Sequence, residues 1–140
     1  MNQTILLVED NEDDAFFMQQ ALRDAGIANP VKWLEDGQAA VDFLGGAGDP
    51  ADPDGGPPMV VFLDLKLPFK SGHDVLQWIR RQPQLEKLVV IVLTSSSEPV
   101  DIKRSYQLGA NSYVVKPPTA EQLIDLANAF KLWWLRQNRN

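Results

Sequence analysis

Leu88-Val89-Val90-Ile91-Val92-Leu93, followed at once by Thr94-Ser95-Ser96-Ser97, is the stretch on which the fold turns. Six consecutive apolar residues, four of them β-branched, suit a short strand buried on both faces better than a helix. A strand with one wet face would alternate polar and apolar residues, and this one does not. Working outward, four similar runs appear: Ile5-Leu6-Leu7-Val8, and residues 31–34, 59–63 and 112–115. Helix-period segments lie between them. The first places Ala15, Met18, Leu22 and Ala25 on one face and ends at Gly26. Ala40, Val41 and Leu44 mark the second, and Val75, Leu76 and Ile79 the third, after Ser71-Gly72. A fourth runs over 98–108, and a fifth from Thr119, as N-cap, to about Gln137. Strands alternating with helices imply βαβ units and a parallel sheet covered on both faces. Ligands on such sheets sit at the carboxyl ends of the strands, so the residues after each apolar run carry the chemistry.

Composition narrows what that chemistry can be. With 140 residues, 44% of them hydrophobic, the chain 1–140 reads as one domain able to bury its own core. It has no cysteine, which excludes a thiol nucleophile and thiolate metal sites, and a single histidine, His73. His73 is expected on an exposed helix surface, and Trp33 and Trp78 in packing. Thirteen basic against nineteen acidic residues give a net charge of −6, which argues against direct nucleic-acid binding. No run approaches a membrane span and the N-terminus lacks a signal-peptide pattern, so a cytoplasmic location without membrane contact is expected. Residues 45–58 (GGAGDPADPDGGPP) bury nothing and read as a mobile surface loop inserted before the third strand.

The residues at the strand ends form a set. Glu9 and Asp10 follow the first strand, Asp64 the third, Thr94 closes the fourth, and Lys116 follows the fifth. Parallel neighbours would bring three carboxylates, a hydroxyl and an ammonium to one edge. Crowded carboxylates without His or Cys point to a hard cation, Mg²⁺ by preference. The central carboxylate can act as a nucleophile towards phosphorus and form an acyl phosphate. Lys116 can neutralise a phosphoryl oxygen and Thr94 can donate a hydrogen bond to another. Singly, each has a plainer use: Asp10 or Asn11 as cap of the first helix, Thr94 as cap of the fourth, Lys-Pro as a turn. Together, after strands one, three, four and five, they are hard to obtain by chance.

With these residues in this order, the chain resembles a response-regulator receiver domain over essentially its full length. The resemblance implies the flavodoxin-like (βα)₅ fold with strand order 2-1-3-4-5. It implies Asp64 as phosphoacceptor in its Asp64-Leu65-Lys66-Leu67-Pro68 setting, and Mg²⁺ held by Asp10, Asp64 and the Lys66 backbone carbonyl, with Glu9 acting through water. It further implies Thr94 as the switch hydroxyl, Lys116 as the lysine that pairs with the phosphoryl group, a cis bond between Lys116 and Pro117, and Tyr113 as the rotating aromatic. The expected function is that of a single-domain response regulator of a two-component system. It would accept phosphoryl from a sensor histidine kinase and repack its helix 4–strand 5–helix 5 surface, promoting only its own phosphorylation and dephosphorylation rather than acting as an enzyme. Glu9 in place of the commoner Asp, the long loop and the lack of an output domain are similar to the stand-alone receivers that partner phytochrome-type kinases.

Two further readings concern partners. On the last helix Ile124, Leu132 and Leu135 fall off the apolar face, and a monomer would leave them wet, so a homodimer through the C-terminal helix is expected. The rival function is a phosphorylation-independent docking or dimerisation module. A haloacid-dehalogenase-type phosphatase would want an Asp where Lys66 stands. A flavin-binding protein would want a Ser/Thr/Gly-rich loop where the acidic Glu9-Asp10-Asn11-Glu12-Asp13-Asp14 stands.

Overall fold

The computed structural model describes residues 3–46 and 57–137. Its elements run β1 (Ile5–Val8), α1 (Glu12–Asp24), β2 (Val31–Leu34), α2 (Gly37–Gly45), β3 (Val60–Leu63), α3 (Gly72–Arg81), a 3₁₀ turn over Pro83–Leu85, β4 (Val89–Thr94), α4 (Pro99–Gln107), β5 (Ser112–Val115) and α5 (Ala120–Gln137). All strand pairs are parallel, in the order β2-β1-β3-β4-β5. The pleat divides the core in two. Ile5, Leu7, Val60, Phe62, Ile91 and Leu93 meet Ala15, Met18 and Leu22 of α1 and Ala127 and Phe130 of α5. Leu6, Val8, Val61, Leu63 and Val90 meet Ala40 and Leu44 of α2 and Val75, Leu76 and Ile79 of α3. Phe62 and Phe130 touch edge to face, centroids 5.4 Å apart, a geometry that contributes about 1 kcal/mol beyond the area it buries.

Short polar side chains set the helix starts. Asn11 Oδ1 accepts from Asp14 N at 2.9 Å, Asp36 Oδ1 from Ala39 N at 2.7 Å, Ser71 Oγ from Asp74 N at 3.2 Å and Thr119 Oγ1 from Gln122 N at 3.2 Å. Gly26, at φ 80°, lets the chain leave α1 in a conformation that side chains resist. Each cap sits beside the carboxyl end of a strand or at a helix entry, so the same turns that start helices also aim the strand-end residues.

Four expectations need correction or restriction. Gly45 is the last residue of α2 rather than loop, and most of the 45–58 insertion, residues 47–56, lies outside the described residues. Ile124 is half-buried, because it packs against the core cluster that α1, α5 and the sheet form. Leu132 and Leu135 do stay exposed, at 61% and 58%. His73 is not free surface: its ring lies 2.9 Å from the hydroxyl of fully buried Ser105, tying α3 to α4. Ser105 donates its only proton to the Asp101 carbonyl (2.8 Å), so His73 must be the donor through Nε2.

Candidate functional site

Register decides which strand ends meet. Val8 lies opposite Leu63, so Glu9 and Asp64, the next residue on each strand, emerge side by side. Leu63 lies opposite Val92, which sets Thr94 two residues further along, and Thr94 lies opposite Val115, after which comes Lys116. Backbone bonds continue the ladders beyond the strands: Asp64 N to Val8 O (3.1 Å), Glu9 N to Leu34 O (3.0 Å) and Lys116 N to Thr94 O (2.7 Å). The five residues singled out by spacing therefore share one edge.

Lys116 is the hub. Its ammonium contacts Glu9 Oε1 at 2.7 Å, Asp14 Oδ2 at 2.8 Å and Asp64 Oδ2 at 3.0 Å. Asp64 Oδ1 accepts from the backbone N–H groups of Leu65 (2.7 Å) and Lys66 (3.4 Å). Glu9 Oε2 accepts from Asn11 N (3.1 Å), and the Glu9 carbonyl accepts from the Trp33 indole (2.7 Å). Glu9 and Asp64 are buried and Asp10 is exposed, yet one carboxylate oxygen of each lies within 4.8 Å of the others. Thr94 Oγ1 is fully buried and has no hydrogen-bond partner, although it is near enough to Asp64 to favour that carboxylate's charged form.

Burial and charge pull the two buried acids apart. Burial raises Glu9, and the Asp64 charge raises it further against the pull of Lys116, so that it titrates at about 7. Asp64 suffers the same burial, but the Thr94 hydroxyl and Lys116 together outweigh it and hold the carboxyl below its ordinary range. Burial works against the Lys116 ammonium, and its bonds to Asp14, Glu9 and Asp64 more than offset that, keeping it charged. One ammonium against the clustered carboxylates leaves the edge negative. An oxygen-only, negatively charged pocket with an unpartnered hydroxyl fits a hard divalent cation and an anionic oxygen group that the cation would help to hold.

Of the remaining expected residues, Tyr113 is half-buried and donates from its hydroxyl to the Ser96 carbonyl (2.8 Å), while its N–H donates to the Tyr106 hydroxyl (3.0 Å). Ser96, not Thr94, braces the start of α4, accepting from Glu98 N (3.2 Å) and donating to Asp101 Oδ2 (2.6 Å). The Lys66 side chain is exposed. The bond between Lys116 and Pro117 is trans, where the resemblance implied cis, since no peptide bond among the described residues is cis. Asp14 and Trp33 were missed. Asp14 lies in the first turn of α1, and only the fold brings it to Lys116. Nothing in the sequence points from Trp33 to the Glu9 carbonyl.

A five-stranded parallel sheet in this order, with acids after β1 and β3, a hydroxyl at the end of β4 and a lysine after β5, defines a receiver-type signalling domain. The chain belongs to the response regulator receiver domain family, whose family model matches residues 5–128. It is 39% identical over 139 residues to the probable methanogenesis regulatory protein FilR2 of Methanothrix harundinacea, covering 97% of this chain and 86% of that one. The phosphorylated cyanobacterial phytochrome response regulator RcpA superposes with a TM-score of 0.85 at 34% identity, covering 96% of this chain and 95% of that one. The Mn²⁺-bound form of response regulator Rcp1, from Synechocystis, gives a TM-score of 0.80 at 34% identity, covering 95% and 94%. Proteins of this kind are signalling regulators, and the chain is consistent with a single-domain two-component response regulator. Among the described residues no helix is long and apolar enough to cross a membrane.

Proposed function

We propose that Asp64 accepts a phosphoryl group from the phosphohistidine of a sensor kinase, or from a small acyl phosphate, in a Mg²⁺-dependent reaction. The observation that carries this is the Asp64 carboxylate itself: ionised, braced by the Leu65 amide and Lys116, and beside a buried hydroxyl without a partner. Asp10, Asp64 and the Lys66 carbonyl would hold the Mg²⁺, with Glu9 through water, and the ion would screen charge on the phosphoryl oxygens. Lys116 pairs with one of those oxygens and Thr94 moves to donate to another. Tyr113 then leaves the Ser96 carbonyl and turns into the space Thr94 vacates, repacking α4, β5 and α5. The chain acts on no separate substrate and is a phosphoacceptor rather than an enzyme. Likeness to phytochrome response regulators supports a phytochrome-type kinase as donor. The charge of −6 supports a protein partner over nucleic acid.

The test is the intact mass after incubation with acetyl phosphate. A gain of one phosphoryl group that requires Mg²⁺ is expected; no gain from any donor would leave a docking module that does not use its site.

The proton on Glu9 gives a second expected result. Between its ordinary value and about 7 the metal-free site is protonated at Glu9, and bound Mg²⁺ must expel that proton or its equivalent. Apparent Mg²⁺ affinity should therefore be flat above pH 7 and fall by up to about tenfold per unit below it. Mg²⁺ titrations followed by tryptophan fluorescence at pH 6 and 8 should differ in wild type and coincide in Glu9→Gln.

The exposed Leu132, Trp133 and Leu135 on the last turns of α5 support a homodimer through that helix. Leu132→Glu with Leu135→Glu should shift sedimentation towards the monomer. Identical profiles for this variant and wild type would dismiss the dimer.

A further inference from the structure

The Lys116 ammonium donates to Asp14 Oδ2 (2.8 Å) and Asp64 Oδ2 (3.0 Å) and pairs with Glu9 Oε1 at 2.7 Å, so three carboxylates surround it. A phosphoryl oxygen arriving at Asp64 must compete with these carboxylates for the ammonium. The three partners are not equal. The Glu9 side chain is 4% exposed, so water has little room to take the place of the lysine there, and Asp64, 7% exposed, gives up its own carboxylate charge as it becomes an acyl phosphate. Asp14, in the first turn of α1, is 42% exposed, so water can replace the lysine at little cost.

We propose that Asp14 is a positioning residue that holds a Lys116 N–H in the resting state and yields it to the phosphoryl group, restraining phosphorylation until then. The inference rests on the phosphoacceptor reading above and assigns a partner that this reading does not use. In the step concerned, an ionised Asp64 oxygen attacks the phosphorus of acetyl phosphate. The new O–P bond forms as the bond from phosphorus to the acetate oxygen breaks, and acetate leaves as an anion with no proton moved. The phosphoryl oxygens keep their charge while the Asp64 carboxylate loses its own, and Lys116 turns towards them from Asp14 as well as from Asp64. Asp14 opposes this twice: it competes for the N–H and sets a negative charge beside an anionic donor.

Asp14→Asn keeps the backbone N–H that caps onto Asn11 (2.9 Å), so α1 should form normally. With acetyl phosphate and Mg²⁺, its phosphorylation rate should rise about threefold over wild type, in keeping with the modest worth of an exposed ion pair. Affinity for beryllium trifluoride, a phosphoryl mimic read by tryptophan fluorescence, should rise by a similar factor, and Asp14→Glu should return both to wild type. In a Lys116→Ala background the Asp14→Asn gain should vanish, because Asp14 acts through that ammonium. A slower or unchanged Asp14→Asn, or a gain that survives in Lys116→Ala, overturns the inference while phosphorylated wild type leaves the phosphoacceptor reading intact. A wild type that never gains phosphate overturns both.

Discussion

Asp64→Asn should gain no phosphoryl group from acetyl phosphate under conditions in which wild type gains one. The amide is nearly isosteric with the carboxylate, but it has no ionised oxygen to attack phosphorus. Its effect on folding should be much smaller than its effect on chemistry. Asp64 receives Leu65 N on one oxygen and Lys116 on the other, and an amide can accept only one of these. Losing one charge-assisted bond at a buried site costs about 1–3 kcal/mol. Part of that returns through Glu9, whose raised pKa owes something to the Asp64 charge and would relax downwards. Intact-mass spectra and urea unfolding on the same samples separate the two effects. A phosphorylated Asp64→Asn would move the acceptor elsewhere, with Glu9 and Asp10 of the same carboxylate cluster the candidates.

Gly72→Ala should damage both stability and chemistry. Gly72 is buried at the start of α3, where its N–H donates to the Leu65 carbonyl at 2.9 Å. A methyl group there would overlap the Asp64 carbonyl and the Leu65 Cα. These are backbone atoms, so no rotamer change can relieve the overlap; α3 must retreat or the β3–α3 turn must shift. We expect a loss of about 3 kcal/mol, at the upper end for overpacking, measured by urea unfolding. Because the displaced atoms belong to the Asp64 peptide, phosphorylation by acetyl phosphate should slow by at least about tenfold, a cost typical of misplacing a reacting group by an ångström. Full activity in a folded Gly72→Ala would show that the β3–α3 turn tolerates displacement. Gly37 meets the Lys70 carbonyl in the same way, clamping α2 to the far side of that turn.

The two variants differ in how they were found. Asp64 was visible as a residue, because an acid closing an apolar run in a βαβ chain has few uses other than capping or chemistry. Gly72 was visible only as a helix start, since sequence records that a side chain is missing and not which atoms press into its place. His73 illustrates the same limit: its helix position suggested exposure, but Ser105, 32 residues away, supplies its partner. Trp33 and Asp14 reach the site from β2 and α1, and no local pattern connects them to it.

What the amino-acid sequence determined by itself was the alternation of strands and helices, the face each presents and the set of strand-end residues. These follow from hydrophobic period and from the short polar residues that cap helices, which act over a few residues. Only the tertiary structure decided the strand register, the sharing of one lysine among three carboxylates, the opposite pKa shifts of Glu9 and Asp64 and the orphaned Thr94 hydroxyl. Each depends on distances between atoms far apart in the chain, and electrostatic interactions at 3 Å change too steeply with position and burial for spacing along a sequence to foretell them.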